Sequence, residues 1–353
     1  MEIIQNKYTL TDITYSLDKY FDEDTLLFDI ECTGLSPRKS FIYLIGYGTR
    51  NGNEIEINQL LANDETEESE ILLYFENVLK SFPKIMGFNS SRFDQSFICE
   101  RCKLYGINTE IKSKYHLDIY LTATKAKCLL DLQNYKQKTL EVFLGLKRED
   151  KYDGGQLIPV YKEYSKTRDK SLKDLFLLHN YEDVKGMVSL IDILAYCDIL
   201  TCDLTLSDTE VSQDRYRSYW TLPYSIPSPI NKQRPYGTYV IKDNTISLAL
   251  NITSNSLYTF LPDNKNYYYL LNEDIIIPKS LGASVDPSNR RPASKSDCKV
   301  KKDGDFIQIP NHVDVGNKAR TFRKDYSDDE NFLSIEDIDP GQIKKILTYM
   351  LKH

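Results

Sequence analysis

The run Leu26–Cys32, which reads Leu-Leu-Phe-Asp-Ile-Glu-Cys, constrains the fold of this chain most strongly. Its apolar residues predict a buried strand, yet two acids stand inside it. Side chains alternate along a strand, so Asp29 and Glu31 should project from one face while Phe28 and Ile30 pack on the other. Two neighbouring carboxylates repel each other unless a cation neutralises them, and oxygen ligands suit divalent ions such as Mg or Mn. Taken alone, such a pair more often marks a solvated strand end.

A second motif, Asn89-x-x-x-Phe93-Asp94, follows a short predicted strand over residues 84–88. The apolar spacing from residue 93 to residue 105 predicts a helix. Its apolar side comprises Phe93, Phe97, Ile98, Cys102 and Tyr105. Asp94 therefore lies where this helix begins. An acid in the first turn is also favoured by the helix dipole, so its position alone leaves a structural role open.

The third motif is His179-Asn180-Tyr181-Glu182-Asp183, within a long helical pattern from Leu172 to Tyr196. The buried stripe of this helix is predicted to comprise Val184, Met187, Val188, Ile191, Leu194 and Ala195. His179 and Asp183 lie one turn apart on one face. An imidazole, with a reference pKa of about 6.5, can accept a proton near neutral pH. A single helical histidine is otherwise an ordinary hydrogen-bonded residue.

Together the motifs resemble the DEDD superfamily of ribonuclease H-like 3′-5′ exonucleases, which is named after its four metal-binding acids, and most closely its YprB-like branch. The matching stretches are Phe28–Leu35, Gly87–Asp94 and His179–Val184, with shorter similarities at 134–135, 139–141 and 144–145. The resemblance covers residues 20–200. It implies an α/β fold, a ribonuclease H-like mixed sheet flanked by helices.

The resemblance also implies roles for individual residues. Asp29, Glu31, Asp94 and Asp183 would hold two divalent ions, Mg or Mn, for hydrolysis of phosphodiester bonds. His179 would be the general base. The better-known subfamilies place a tyrosine four residues, or a histidine five residues, before the last acid, whereas this chain has His179 four residues before Asp183.

Four polar residues near these motifs are secondary candidates. Asn89 and Arg92 could contact the substrate backbone, because amide and guanidinium groups suit phosphate and sugar oxygens. Ordinary turn chemistry is the simpler explanation for both residues. Asp118 and Glu141 are expected to be capping or surface residues, and one of them could reach the site.

Composition indicates a globular protein of two domains: 353 residues, 41% apolar and 27% charged. The odd number of cysteines, seven, favours reduced thiols over disulfides, and Cys99-x-x-Cys102 has no well-spaced partner pair for structural zinc. The first ten residues lack the pattern of a signal peptide, and no apolar run is long enough to cross a bilayer. We therefore expect a cytoplasmic protein with no membrane partner.

The net charge of −7 argues against a surface that binds nucleic acid throughout. The segment Arg290–Lys302, however, contains six basic residues and one acid, Asp297. Such a cluster could follow phosphates, or it could be a solvated loop.

The pattern of apolar and turn-forming residues changes after Cys202. Upstream, residues 26–61 predict three strands and residues 65–81 a helix. Downstream, closely spaced prolines precede short strand-like runs, including Thr245–Leu250 and Leu257–Leu261, and a last helix begins near Pro340. We therefore predict a ribonuclease H-like domain over residues 1–203 and a smaller β-rich C-terminal domain of unknown role over residues 204–353.

Three functional hypotheses follow. The leading one is a metal-dependent 3′-5′ exonuclease acting on DNA or RNA by a two-metal mechanism. The second keeps the same acids for internal cleavage, as a structure-selective or hybrid-specific endonuclease, because fold alone does not separate the two. The third is a catalytically weak nucleic-acid-binding protein in which the unusual His179 spacing misplaces the base.

Overall fold

The computed structural model describes residues 1–150, 152, 154–316 and 320–353. They divide into two compact units: the first comprises Met1–Thr201 and Tyr224–Ser228, and the second Cys202–Pro223 and Pro229–His353. The domain boundary predicted from the sequence lies after residue 203. The sequence did not indicate that residues 224–228 return to the first unit. No helix among the described residues has the length and apolar character needed to span a membrane.

The first unit is built on a mixed sheet with helices packed on it. Its strands are β1 (Glu2–Thr9), β2 (Thr25–Cys32), β3 (Ile42–Asn51), β4 (Glu54–Leu61), β5 (Lys84–Gly87) and β6 (Tyr115–Asp118). Its helices are α1 (Tyr15–Tyr20), α2 (Glu68–Leu79), α3 (Asp94–Leu104), α4 (Ile119–Ala123), α5 (Lys127–Leu130), α6 (Gln137–Phe143), α7 (Gly154–Thr167), α8 (Lys170–Leu190) and α9 (Leu194–Ile199).

The strand order is β1-β4-β3-β2-β5-β6. The β2 strand is central: it pairs antiparallel with β3 and parallel with β5, and β6 extends the parallel side. The predicted strand, with its apolar run, is therefore confirmed at the position where both faces of a sheet are covered. Phe28 and Ile30 pack in the same cluster as residues of α2 and α3, such as Phe75 and Phe97. A second cluster joins Tyr43 of β3 to Tyr161 of α7 and Phe176 of α8.

The β1 strand was not predicted from the sequence. It pairs with β4 along its whole length, with Glu2 opposite Leu61 and Thr9 opposite Glu54. Its residues alternate between half-buried and exposed, as at the edge of a sheet. With no fully buried position, it lacks the apolar signal that identifies β2.

Two helix predictions need correction. Tyr105 was placed on the buried side of the helix after Asp94, but α3 ends at Leu104 and Tyr105 is 40% exposed. The long helix predicted to Tyr196 instead ends at Leu190, where a 3-10 turn over Ile191–Ile193 leads into α9. All six residues of the predicted stripe are nevertheless buried.

The second unit is rich in β structure, as predicted. Its strands are β7 (Thr205–Val211), β8 (Arg215–Thr221), β9 (Ile230–Arg234), β10 (Gly237–Lys242), β11 (Thr245–Phe260), β12 (Tyr267–Leu270), β13 (Ile275–Pro278), β14 (Arg290–Pro292), β15 (Lys299–Ile309) and β16 (Asn331–Ser334). The short α10 (Lys279–Gly282) follows β13, and α11 (Pro340–Lys352) closes the chain with Asp339 as its N-cap. The two strands expected within residues 245–261 are one strand, β11.

Candidate active site

Asp29 and Glu31 lie on β2 and project from one face of this central strand. Glu31 is 6% exposed, and Asp29 is half-buried. Burial is the largest cause that raises the pKa of both carboxyls well above the usual range, and the neighbouring acids raise it further. The strand therefore places two acids where their ionised forms are disfavoured unless a positive charge is present.

Asp94, the first residue of α3, meets the same strand. Its Oδ1 accepts a hydrogen bond of 3.3 Å from the backbone N–H of Ile30, the residue between the two acids of β2. Asp94 is 5% exposed. Burial raises its pKa to about 7, although backbone N–H groups at the helix start and at Ile30 oppose the rise. This acid was predicted at a helix start, which the structure confirms.

The α8 helix brings the third motif to these acids. His179 Nε2 lies 3.4 Å from Glu31 Oε1 and 3.2 Å from Asp183 Oδ2. Among the described residues, Glu31, His179 and Asp183 form the group that could hold a metal ion, with ligand atoms all within 4.8 Å of one another. All five predicted catalytic residues line one cavity of about 290 Å³: Asp29, Glu31, Asp94, His179 and Asp183.

Asn180 holds Asp29 in place, a contact that the sequence reasoning did not anticipate. Its Nδ2 donates a hydrogen bond of 2.9 Å to Asp29 Oδ2, and its Oδ1 accepts one of 3.0 Å from Gln59 Nε2. Gly46 stands opposite Asp29 on β3, and a Cβ there would come within 2.3 Å of Asn180 Oδ1. The glycine therefore allows α8 to approach the sheet. Asn180 is fully buried, and its position directly after His179 in the third motif was the available signal.

Arg148 and Asp150, between α6 and α7, are the residues that the motifs missed altogether. Asp150 Oδ2 lies 2.7 Å from His179 Nδ1. The guanidinium of Arg148 pairs with Asp183 Oδ1 through Nη2 and with Glu141 Oε1 at 3.2 Å through Nη1. Glu141, expected to be a capping or surface residue, is 2% exposed and takes part in this ion pair. No motif or spacing marks this segment in the sequence.

Asp118 holds the loop before α3 through hydrogen bonds. Its carboxylate accepts hydrogen bonds from the backbone N–H groups of Asn89, at 3.0 Å, and Ser91, at 3.1 Å, and it caps α4. The expected capping role of Asp118 is thus confirmed. Asn89 has a φ of 57° and lines the cavity, whereas Arg92 is exposed on the turn. Substrate contact by either residue stays a prediction.

Two other sequence features are the cysteines and the basic segment Arg290–Lys302. The seven cysteines are free thiols, and Cys102 is buried in the core. In the basic segment, Arg291 pairs with Asp297, and Lys302 lies 3.0 Å from both Glu336 and Asp337. These acids neutralise part of the positive charge of the basic segment, which was the basis for proposing that it binds phosphates.

Residues 26–195 match the RNase H superfamily model RNase_H_2. This match and the observed sheet confirm the predicted ribonuclease H-like fold. The finer assignments, to the DEDD group and to its YprB-like branch, stay predictions. No curated protein matches the chain significantly.

Several solved structures resemble the chain at low identity. A family B DNA polymerase from the archaeon Pyrobaculum calidifontis is 13% identical, with a TM-score of 0.39 over 70% of this chain and 38% of the polymerase. An exonuclease I is 12% identical, with a TM-score of 0.34 over 50% of this chain and 42% of that one. A zinc-bound Escherichia coli ExoI–ssDNA complex is 16% identical, with a TM-score of 0.29 over 44% and 43%. The matches thus span about two fifths of these longer proteins.

Proposed function

We propose that this protein is a metal-dependent nuclease that hydrolyses phosphodiester bonds of nucleic acid. The observation that carries the proposal is the convergence of Asp29, Glu31, Asp94 and Asp183 on one cavity, from one strand and two helices. Burial raises the pKa of the first three carboxyls. Such a concentration of buried and half-buried acids is poor for stability and typical of a functional site.

The residues present fit divalent cations. Carboxylate oxygens are the ligands that Mg and Mn prefer, and the positive charge of an ion would offset the burial and the repulsion that raise the pKa of Asp29, Glu31 and Asp94. We assign Asp29, Glu31, Asp94 and Asp183 as the ligands of two such ions. Bound there, the ions would polarise the scissile phosphate and lower the pKa of an attacking water.

The other polar side chains of the site have roles that do not involve binding the ions. His179 Nε2 faces the cavity beside Glu31 and Asp183, where it can accept a proton from water. Asn180 keeps the carboxylate of Asp29 oriented toward the cavity. We assign to contacts with the sugar-phosphate backbone Asn89, on the cavity wall, and Arg92, on the exposed turn.

Within this class we propose 3′-5′ exonuclease activity in the cytoplasm. The polarity rests on the resemblance of the three motifs to the DEDD exonucleases. Internal cleavage at the same acids is the second candidate, because the acids serve either reaction. A role in binding alone is the third.

Digestion of 5′-labelled single-stranded DNA and RNA with Mg or Mn tests the proposal. We expect a ladder of shortened products that EDTA and Asp29→Ala abolish and that a blocked 3′ end prevents. Cleavage of the blocked substrate would transfer the assignment to an endonuclease. Absence of cleavage by a wild-type protein that binds Mn would transfer it to a binding role. Comparing the cleavage rates of the DNA and RNA strands identifies which nucleic acid is the substrate.

A further inference from the structure

Asp150 stands behind His179, on the side away from the cavity acids. Its Oδ2 lies 2.7 Å from His179 Nδ1, while His179 Nε2 faces Glu31 and Asp183. The side chains of both partners are almost fully buried, 5% exposed for His179 and 2% for Asp150. The imidazole is therefore held from both ends, with one nitrogen assigned to each side.

We propose that Asp150 is a positioning residue that fixes the ring orientation and the tautomer of His179. A carboxylate only accepts hydrogen bonds, so His179 Nδ1 must carry the proton that it donates to Asp150. That arrangement directs Nε2 into the cavity as the nitrogen that exchanges a proton with water. The inference rests on the proposed function and adds Asp150 to the residues on which the reaction depends.

Asp150 is itself held rigidly, as a positioning residue must be. Its Oδ1 accepts a hydrogen bond of 3.0 Å from the backbone N–H of Tyr152, and Arg148 Nη2 lies 3.6 Å from Oδ2. Glu182 on α8 accepts backbone N–H bonds from Glu149, at 3.0 Å, and Asp150, at 2.8 Å. Both carboxylate oxygens and the local backbone are thus engaged.

The contact with Asp150 also gives His179 a partner outside its own helix. Four residues before Asp183, His179 lies one turn away on the same helix face, which leaves Nε2 near Asp183 Oδ2. The ring then depends on a partner outside the helix for its orientation. Asp150 supplies that partner from the segment between α6 and α7.

A double-mutant cycle separates positioning from simple anchoring of this segment. We compare Asp150→Asn, His179→Gln and the double variant for cleavage of a labelled oligonucleotide with Mn. Asp150→Asn should lower kcat about 10- to 100-fold with KM within about twofold. The double variant should be no slower than His179→Gln alone, because Asp150 acts through His179. Multiplicative losses would overturn the proposal.

Glu182→Ala is the matched control, since it removes the other anchor of the same segment without touching His179. We expect a lower melting temperature and an unchanged His179 tautomer. If Glu182→Ala and Asp150→Asn lower kcat equally, Asp150 is an anchor and the proposal is wrong.

The second readout needs neither metal nor activity. The chain has four histidines, so long-range ¹H–¹⁵N spectra of the metal-free protein are simple, and the signals missing in His179→Gln identify His179. We expect a proton fixed on Nδ1 in the wild type and a mixture of tautomers in Asp150→Ala. An unprotonated Nδ1 in the wild type, or the same spectrum in the variant, would overturn the proposal. A fixed Nδ1 proton in a protein that cleaves nothing would uphold the contact while the nuclease assignment failed.

Discussion

Asn180 and Asp29 are joined by a hydrogen bond of 2.9 Å that ties α8 to the central strand of the sheet. The same amide accepts a bond from Gln59, so both ends of the Asn180 side chain are occupied within the core. A metal ligand must be held in one orientation to bind well, and partners outside the ligand set commonly provide that constraint.

Asn180→Ala should weaken Mn binding about 10- to 100-fold, because the Asp29 carboxylate loses its partner. Loss of the amide also leaves buried polar groups unsatisfied, at a cost of about 1–3 kcal/mol in the free energy of unfolding. Calorimetric titration with Mn and urea denaturation measure the two effects. Asn77→Ala, at an exposed asparagine of α2, is the control and should change neither. Wild-type affinity in Asn180→Ala would contradict the positioning role.

Gly46→Ala tests the close approach of α8 to the sheet. The new Cβ would lie 2.3 Å from Asn180 Oδ1 and 2.8 Å from Val184 Cγ2, so these side chains or the helix that carries them must shift. Overpacking of this kind destabilises by about 1–3 kcal/mol. Gly48→Ala on the same strand is the matched control, because its closest contact is 3.3 Å from Val184 Cγ1. Thermal unfolding should show the larger loss for Gly46→Ala; equal losses would contradict the geometry.

Removing one acid should stabilise the metal-free protein. The raised pKa of Asp29 means that its ionised form is less stable in the folded chain than in the unfolded one. Asp29→Asn keeps the shape and removes the charge, so we expect a gain on the order of 1 kcal/mol in EDTA. The same change should abolish the rise in melting temperature that Mn produces in the wild type. A less stable variant in EDTA would show that Asp29 is a structural residue.

The pH dependence of stability follows from Asp94. Its pKa rises from the ordinary 3.8 to about 7 on folding, so between about pH 4 and pH 7 the folded chain retains a proton that the unfolded chain has released. The contribution of Asp94 to the stability of the metal-free protein must therefore fall as pH rises through this window. Urea denaturation in EDTA at pH 5, 6 and 7 should show that fall and a smaller one for Asp94→Asn. An identical slope in the variant would exclude Asp94 as a source.

The residues of the candidate site were predicted from the sequence where chemistry and local pattern coincide. The acids of β2 stood out because an apolar strand rarely contains charge, and Asp94 and Asp183 were placed correctly by helical spacing. Residues that act through long-range contacts gave no such signal. Asp150 lies 29 residues from His179 along the chain, and their contact depends on how residues 148–150 pack against α8.

The same distinction holds for the fold. The C-terminal helix was predicted because its apolar residues repeat at helical spacing, and Ile343, Ile346, Leu347, Met350 and Leu351 are all buried. The β11 strand was divided in two because its middle, Asn251–Ser256, is polar. That stretch is held by pairing with β15, for example Ser254 with Asp305, which periodicity within one segment does not reveal.

Two aspartates of one helix, Asp183 and Asp174, provide a direct test of whether this cavity is the active site. Asp183 lines the cavity, whereas Asp174, also on α8, is exposed. Mn-dependent cleavage of a 5′-labelled single strand is measured for the wild type, Asp183→Asn and Asp174→Asn, with Mn binding followed in parallel. We expect Asp183→Asn to lose both cleavage and tight Mn binding and Asp174→Asn to retain both. Cleavage at the wild-type rate by Asp183→Asn would show that this cavity is not the active site.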